Sequence, residues 1–357
     1  MGFDELIQFA VKQNASDIHL QAHSPPMLRI AGTIRSVEWP SLVSEELIQF
    51  ISSMVPHSEP TALASNIDKG LDFSYAISGL CRLRCSAYRQ MGHVGMVMRI
   101  IRDKIPPFDS LNLPKVIADI ALSQRGLTLV TGTTGSGKST TLAAMIDLIN
   151  TSSLTKILTI EDPIEYVHTP KKAFITQIEV GTDTPSFGQA LRQALRQDPD
   201  VILIGELRDV ESLRIALHAA DTGHQVFSTV HSASAPQTIE RIITMFPQAE
   251  HQILLSQLAG SLEAIISQRL LSTTDGKRLP AVEILRGSAI TEKWILEGNL
   301  IELKKYIETG EAGMQSFDQH ILRLYQKGYI SGKEALSSAS NPDALARGIR
   351  GIKGIGV

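Results

Sequence analysis

The segment Gly132-Thr133-Thr134-Gly135-Ser136-Gly137-Lys138-Ser139 has the composition and spacing of a phosphate-binding loop. Glycines let the backbone wrap a polyphosphate with its amides pointing inward, and a helix that starts where the loop ends directs its positive terminus at the same anion. The flanks fit this reading: an apolar, β-branched run, Leu127–Thr131, precedes the loop, and an Ala- and Leu-rich stretch of helical character, Ser139–Ile149, follows it. Lys138 is expected to reach the β- and γ-phosphates of ATP. Ser139 is expected to supply a hydroxyl oxygen to Mg²⁺, a hard cation that bridges those phosphates.

Holding ATP is not hydrolysing it, so a group must position the attacking water. Val201-Ile202-Leu203-Ile204 ends in Gly205-Glu206, and in an open parallel sheet reactive groups collect beyond the carboxyl ends of strands. Glu206 is the expected general base or water-orienting residue. Gly205 stands where the more usual Walker B strand ends in Asp, so Glu206 and Asp162 are expected to meet the metal through water. Lys156–Ile160 ends in Glu161-Asp162-Pro163-Ile164-Glu165, acids that could tune Mg²⁺ or share the water-positioning role. Gln225–Val230 ends in His231, a candidate γ-phosphate sensor, with His224 as a second candidate. Arg192 and Arg196, four apart on a helical stretch, are expected to share one face, and Arg84 and Arg99 lie on alternating segments. Positive groups stabilise phosphoryl transfer, but ordinary surface pairing explains any one of these arginines.

The elements that position these groups fall into two domains, as 357 residues suggest. Residues 1–105 read as a small α+β domain, with helical stretches Phe3–Lys12 and Glu45–Met54 and alternating segments Met27–Ile34 and Arg82–Arg89. Around Asp103-Lys104-Ile105-Pro106-Pro107 the pattern breaks, because consecutive prolines remove amide donors and favour extended chain. A linker is expected at 106–111. From 112 to 280, helices alternate with short apolar runs, which implies an α/β fold with a parallel sheet covered on both faces. Residues 281–357 read as a helical region, including Asp318–Lys327 and Lys333–Ser338, that ends in Gly348–Val357, a flexible tail or, as the alternative, a docking peptide.

Cys81 and Cys85 sit four apart on an alternating stretch, which puts both thiols on one face without the arrangement a metal site needs. They read as plain thiols in a reducing compartment. A net charge of −3 gives no general attraction to nucleic acid or anionic lipid. No apolar run approaches the ~18–20 residues that span a bilayer. Asp4 and Glu5 in an amphipathic start exclude a signal peptide. The expected location is the cytoplasm.

Taken together, Gly132–Thr140, Thr159-Ile-Glu-Asp-Pro-Ile-Glu165, Arg196-Gln-Asp-Pro-Asp-Val-Ile-Leu-Ile-Gly-Glu206-Leu-Arg-Asp209, Thr222-Gly-His-Gln-Val-Phe-Ser-Thr-Val-His231 and the opening Ala15-Ser-Asp-Ile-His-Leu20 resemble the secretion ATPases of type IV pilus and type II secretion systems. The resemblance spans nearly the whole chain. It is greatest to the pilus retraction ATPases, since no extra domain precedes Ser16-Asp17 and no four-cysteine zinc insert is present. It implies a PAS-like N-terminal domain, a RecA-like ATPase domain and a homo-hexameric ring with ATP between domains. By the same resemblance, Lys138, Glu161, Glu206 and His231 match the Walker A, Asp-box, Walker B and His-box positions, and Arg84, Arg99, Arg192 and Arg196 match arginines near the phosphates. The implied partners are an inner-membrane pilus platform protein and related pilus ATPases, reached from the cytoplasmic face without insertion into the membrane.

One segment departs from the pattern. Where retraction ATPases carry Ala-Ile-Arg-Asn-Leu-Ile-Arg-Glu, this chain has Ala289-Ile-Thr-Glu-Lys-Trp-Ile-Leu-Glu297, with both arginines missing. An accessory or specialised motor, or a pilus extension or type II secretion ATPase, is therefore the alternative. A regulatory module without turnover would lack Lys138 or Glu206, and both are present. A small-molecule kinase would need an acceptor site and no ring.

Overall fold

The structure, a computed structural model, describes residues 2–351 apart from 31, 56–59, 78 and 102–104. The chain divides into two compact units, Met1–Lys104 with Glu165–Val167, and Ile105–Ile164 with His168–Val357.

The first unit runs α1 (Phe3–Lys12), β1 (Ala15–Gln21), β2 (Met27–Ile30), β3 (Thr33–Ser36), α2 (Ser44–Met54), α3 (Pro60–Lys69), β4 (Leu71–Ile77), β5 (Cys81–Gln90) and β6 (His93–Ile101). Its strands form one antiparallel sheet in the order β3-β2-β1-β6-β5-β4. One face of the sheet is apolar because Ile18, Leu20, Leu83, Cys85, Met96 and Met98 alternate inward against Leu6, Ile7, Leu47 and Ile51 of the helices. Cys81 and Cys85 are both buried and unbridged, and burial pushes the Cys85 thiol up to about 12, as a core thiol requires. The expected single segment Met27–Ile34 is in fact a hairpin, β2 turning into β3.

The second unit continues with α4 (Val116–Ala121), β7 (Gly126–Thr131), α5 (Lys138–Ser152), β8 (Lys156–Glu161), β9 (Phe174–Glu179), α6 (Phe187–Ala194), β10 (Val201–Ile204), α7 (Val210–Asp221), β11 (Gln225–Val230), α8 (Ala235–Thr244), α9 (His251–Ser261), β12 (Leu262–Ser272), β13 (Arg278–Arg286), α10 (Ala289–Leu296), α11 (Leu300–Glu308), α12 (Phe317–Gln326), α13 (Gly332–Ser338) and α14 (Pro342–Ile349). The sheet order is β13-β12-β7-β11-β10-β8-β9, parallel except for β13. Both faces are covered, so alternate residues of one strand enter different cores. Ile202 and Ile204 of β10 pack with α6 and α7, and Val201 and Leu203 pack with α4 and α5. This is the RecA-like α/β core. Among the described residues no helix is long and apolar enough to cross a membrane.

Three details differ from the sequence reading. The helical region expected after Pro280 begins with strand instead: β13 continues to Arg286, and Pro280 is accommodated because β13 is an edge strand that does not need its amide on both sides. Part of the expected linker, Phe108–Leu111, is a 3₁₀ turn, and its upstream residues 102–104 lie outside the described residues. Gly348 and Ile349, expected in the tail, belong to α14, which buries Leu345 against Phe317 and Ile321; residues 352–357 lie outside the described residues.

Candidate active site

Four adjacent parallel strands, β7, β11, β10 and β8, bring Gly132–Lys138, His231, Glu206 and Glu161 to one edge of the sheet. Residues spread over a hundred positions become neighbours because each follows the carboxyl end of its strand.

The phosphate loop is shaped by contacts that only glycine permits. Gly132 has φ +147°, and a Cβ there would lie 2.4 Å from Ser136 Oγ and 2.5 Å from the Gln268 carbonyl oxygen. Gly137 has φ +93°, with the Gln268 side-chain amide 3.0 Å from where its Cβ would be. Gln268 of β12 also accepts a hydrogen bond from Thr141 Oγ1 at 3.1 Å, so it braces both the loop and the first turn of α5. The sequence reading did not find Gln268, since nothing local marks it. Lys138 is buried and donates to the Gly132 and Thr133 carbonyls, each at 3.0 Å. Ser136 is buried with its Oγ unpartnered, which suits a cradle built for oxyanions. Beside Thr133–Ser136 lies an open pocket of about 250 Å³ whose other wall is Arg269–Ser272 and Arg278. Ser139 and Thr140 follow in the first turn, half-buried.

The acids and the histidine are held in a defined arrangement. Glu206 is largely buried; its Oε2 accepts from Arg208 Nε at 2.8 Å, and its Oε1 is 3.4 Å from His231 Nε2. Arg208 also stands 4.0 Å from Asp162 Oδ2, spanning the ends of β10 and β8. Gly205 explains the missing Asp of that strand: its amide donates to the Ile160 carbonyl at 2.7 Å, and a Cβ would come within 3.3 Å of Glu161 Cα. A side chain there would require the two strand ends to part by a few tenths of an ångström. Glu161 Oε1 accepts from Thr159 Oγ1 at 2.7 Å and Gln177 Nε2 at 3.2 Å. Arg208, Thr159 and Gln177 were given no role from sequence; Thr159 and Arg208 lie within quoted motifs, but their roles depend on which carboxylates the fold sets beside them.

Other expected residues fall elsewhere. His224 precedes β11, a strand's length from His231, and its Nδ1 lies 3.0 Å from the Ala219 carbonyl at the end of α7, a structural place. Arg192 and Arg196 do not share a helical face, because α6 ends at Ala194 and Arg196 sits in the turn beyond it. Arg192 is paired with Glu211 at the start of α7. Arg84 and Arg99 belong to the first unit, directly opposite each other on β5 and β6 and both exposed. Glu165 falls in the stretch Glu165–Val167 that is grouped with the first unit.

A divalent cation fits the donor set. Among the described residues no group of three or more His, Cys, Asp or Glu side chains could hold a metal by itself. Mg²⁺ takes one or two protein oxygens and completes its shell with phosphates and water. Ser139 in the first turn of α5 and the Glu206 and Asp162 carboxylates beside Arg208 are oxygen donors of that kind.

Residues 2–285 match the family described as "Type II/IV secretion system protein". The chain is 42% identical over 344 residues to the "Type IV pilus retractation ATPase PilT" of Pseudomonas aeruginosa, covering 96% of this chain and 99% of that one. It is 40% identical to a "Twitching motility protein" of Neisseria gonorrhoeae, covering 91% and 87%. Among solved structures, that of the pilus retraction motor PilT with bound ADP superposes with a TM-score of 0.90 at 40% identity, over 97% of this chain and 99% of that one.

Proposed function

We propose, for a chain that belongs to the type II/IV secretion system protein family, that it is the ATP-hydrolysing motor of type IV pilus retraction. The observation that carries this reading is the Glu206 carboxylate held between His231 and Arg208 at the end of β10, on the same edge of the sheet as the phosphate loop after β7 and separated from it by β11, in a chain whose near full-length relative is a pilus retraction ATPase. Gly132–Thr140 binds the phosphates of ATP, with Lys138 exchanging loop carbonyls for phosphate oxygens. Glu206 orients the attacking water and His231, which contacts it, reports the state of the γ-phosphate. Glu161 supports the same edge. Mg²⁺, when bound, neutralises phosphate charge. Arg84, Arg99, Arg192 and Arg196 add positive charge at the phosphates, which the ring arrangement of a homo-hexamer allows. The motor works at the cytoplasmic face of the inner membrane through a platform protein, with related pilus ATPases as further partners.

A second reading, an accessory or specialised motor, is favoured by α10, where Thr291 and Leu296 lie within the segment that carries arginines in retraction ATPases. Deleting the gene and imaging filaments tests both. Hyperpiliated cells that do not retract are expected. Unchanged retraction favours the accessory reading, and loss of filaments would make the protein an extension motor instead.

A further inference from the structure

The second unit holds a larger cavity outside the strand-end site, with a volume of about 700 Å³, in the range of small-molecule sites. It lies where β12 and β13 meet α8, α11, α12 and α14. Glu283 of β13 is its most deeply buried charged group, only 6% exposed. Oε1 accepts from the Ala235 amide at 2.7 Å, and among the described residues no donor meets Oε2. Burial raises the carboxyl to about 6, in keeping with an acid short of hydrogen bonds. A buried carboxylate oxygen of this kind is a place for a donor from outside the chain.

Positive groups line the same space. Arg269, Lys304 and Arg347 reach it from β12, α11 and α14, and among the described residues none of the three forms an ion pair. Asp318 lines it too, but both of its oxygens are taken, by the amides of Ser340 at 2.7 Å and Asn341 at 2.8 Å. Lys304 and Arg347 are exposed, as is Glu308 beside them, so an anion meets the two cations at the mouth while Glu283 stands at depth. Arg269 is half-buried, its Cζ 3.9 Å from the centre of the Phe317 ring, and guanidinium planes stack on nucleic-acid bases. A fitting occupant carries an oxyanion at one end, a flat group, and a hydrogen-bond donor at the other end. Glu283 has one oxygen open, which suits the single exocyclic amine of adenine, whereas the adjacent donors of guanine call for both carboxylate oxygens.

We propose that this cavity is a second nucleotide site, which takes an adenine nucleotide with its exocyclic amine on Glu283 and its phosphates on Lys304 and Arg347. It is separate from the phosphate loop, yet its walls touch the supports of that loop. Arg269 also lines the pocket beside Thr133–Ser136, and Ala233 and Ser234 lie just beyond His231. An occupant is thus placed to act on the strand-end site through β12 and the start of α8.

Equilibrium dialysis of the full-length protein against radiolabelled ADP with Mg²⁺ tests it, with Lys138→Ala as the background that disables the phosphate loop. Residual ADP binding is expected in that background, and adding Lys304→Ala and Arg347→Ala, both exposed side chains that leave the fold intact, should weaken it roughly 10- to 100-fold. Inosine diphosphate, with a carbonyl in place of the amine, should bind this site at least ~10-fold more weakly than ADP. Loss of all binding in Lys138→Ala would overturn the proposal and leave the phosphate-loop assignment standing. Residual binding that ignores Lys304→Ala and Arg347→Ala, or that accepts both diphosphates alike, would overturn it as well. Wild-type protein whose entire ADP binding survives Lys138→Ala and falls with the other two substitutions would support the cavity and remove the phosphate-loop assignment instead.

Discussion

Replacing Gly132 by Ala and comparing the result with Gly135→Ala tests how far close packing and backbone conformation at Gly132 shape the phosphate loop. Both glycines have positive φ, +147° and +79°; an L-residue costs ~1–2 kcal/mol near the left-handed region that Gly135 occupies, and Gly132, far from that region, is at least as unfavourable. Their surroundings differ. At Gly135 nothing lies within 4 Å of an added Cβ, whereas at Gly132 it would overlap Ser136 Oγ at 2.4 Å and the Gln268 carbonyl oxygen at 2.5 Å. The carbonyl belongs to β12, paired with β7 on one side and β13 on the other, so it cannot yield cheaply. Overpacking of this kind costs ~1–3 kcal/mol. The free loop can escape by shifting, but nucleotide needs the original geometry, so the cost appears on binding. Gly132→Ala should therefore bind a fluorescent ADP analogue ~5- to 140-fold more weakly than Gly135→Ala. Equal affinities for the two folded variants would refute the reasoning, since the contact with Gln268 would then not shape the nucleotide-binding loop.

Glu206→Gln is expected to retain ATP binding and lose hydrolysis; unchanged phosphate release would remove Glu206 from the mechanism. Burial pushes His168 down to about 4, and its Nδ1 has no partner. The unfolded chain binds the proton more readily, so the stability His168 contributes is complete above pH ~6.5 and drains away as pH falls to ~4, a loss of about 2 kcal/mol by pH 5. His168→Leu should flatten that part of a urea-denaturation profile, and an unchanged slope would count against it. Glu283 has the opposite sign: burial raises it to about 6 while it accepts from the Ala235 amide at 2.7 Å. Its ionisation costs stability as pH rises through that value, so Glu283→Gln, which still accepts, should be about 2 kcal/mol more stable at pH 8 and little changed at pH 4. A less stable variant at pH 8 would show that the charge itself is needed at the start of α8.

What could be read from sequence was whatever local physics determines. The glycine-rich loop between a β-branched run and a helical stretch, and the apolar runs that form β7, β8, β10 and β11, carry their own signals, and Glu161, Glu206 and His231 stand at the ends of three of those runs. Strand β9 escaped because Phe174–Glu179 is only partly buried. The β12–β13 hairpin escaped because Pro280 reads as a breaker until its edge position is known. Arg196 was placed on a helix that a turn ends two residues earlier. The tertiary fold alone decided the remaining relations: Gln268 under a loop 131 residues upstream of it, counting from Gly137, Arg208 between Glu206 and Asp162, and Asp17 against Arg99 across 82 positions. Periodicity and turn chemistry act over a few residues, whereas these contacts arise from the order in which strands join a sheet, which no short segment encodes.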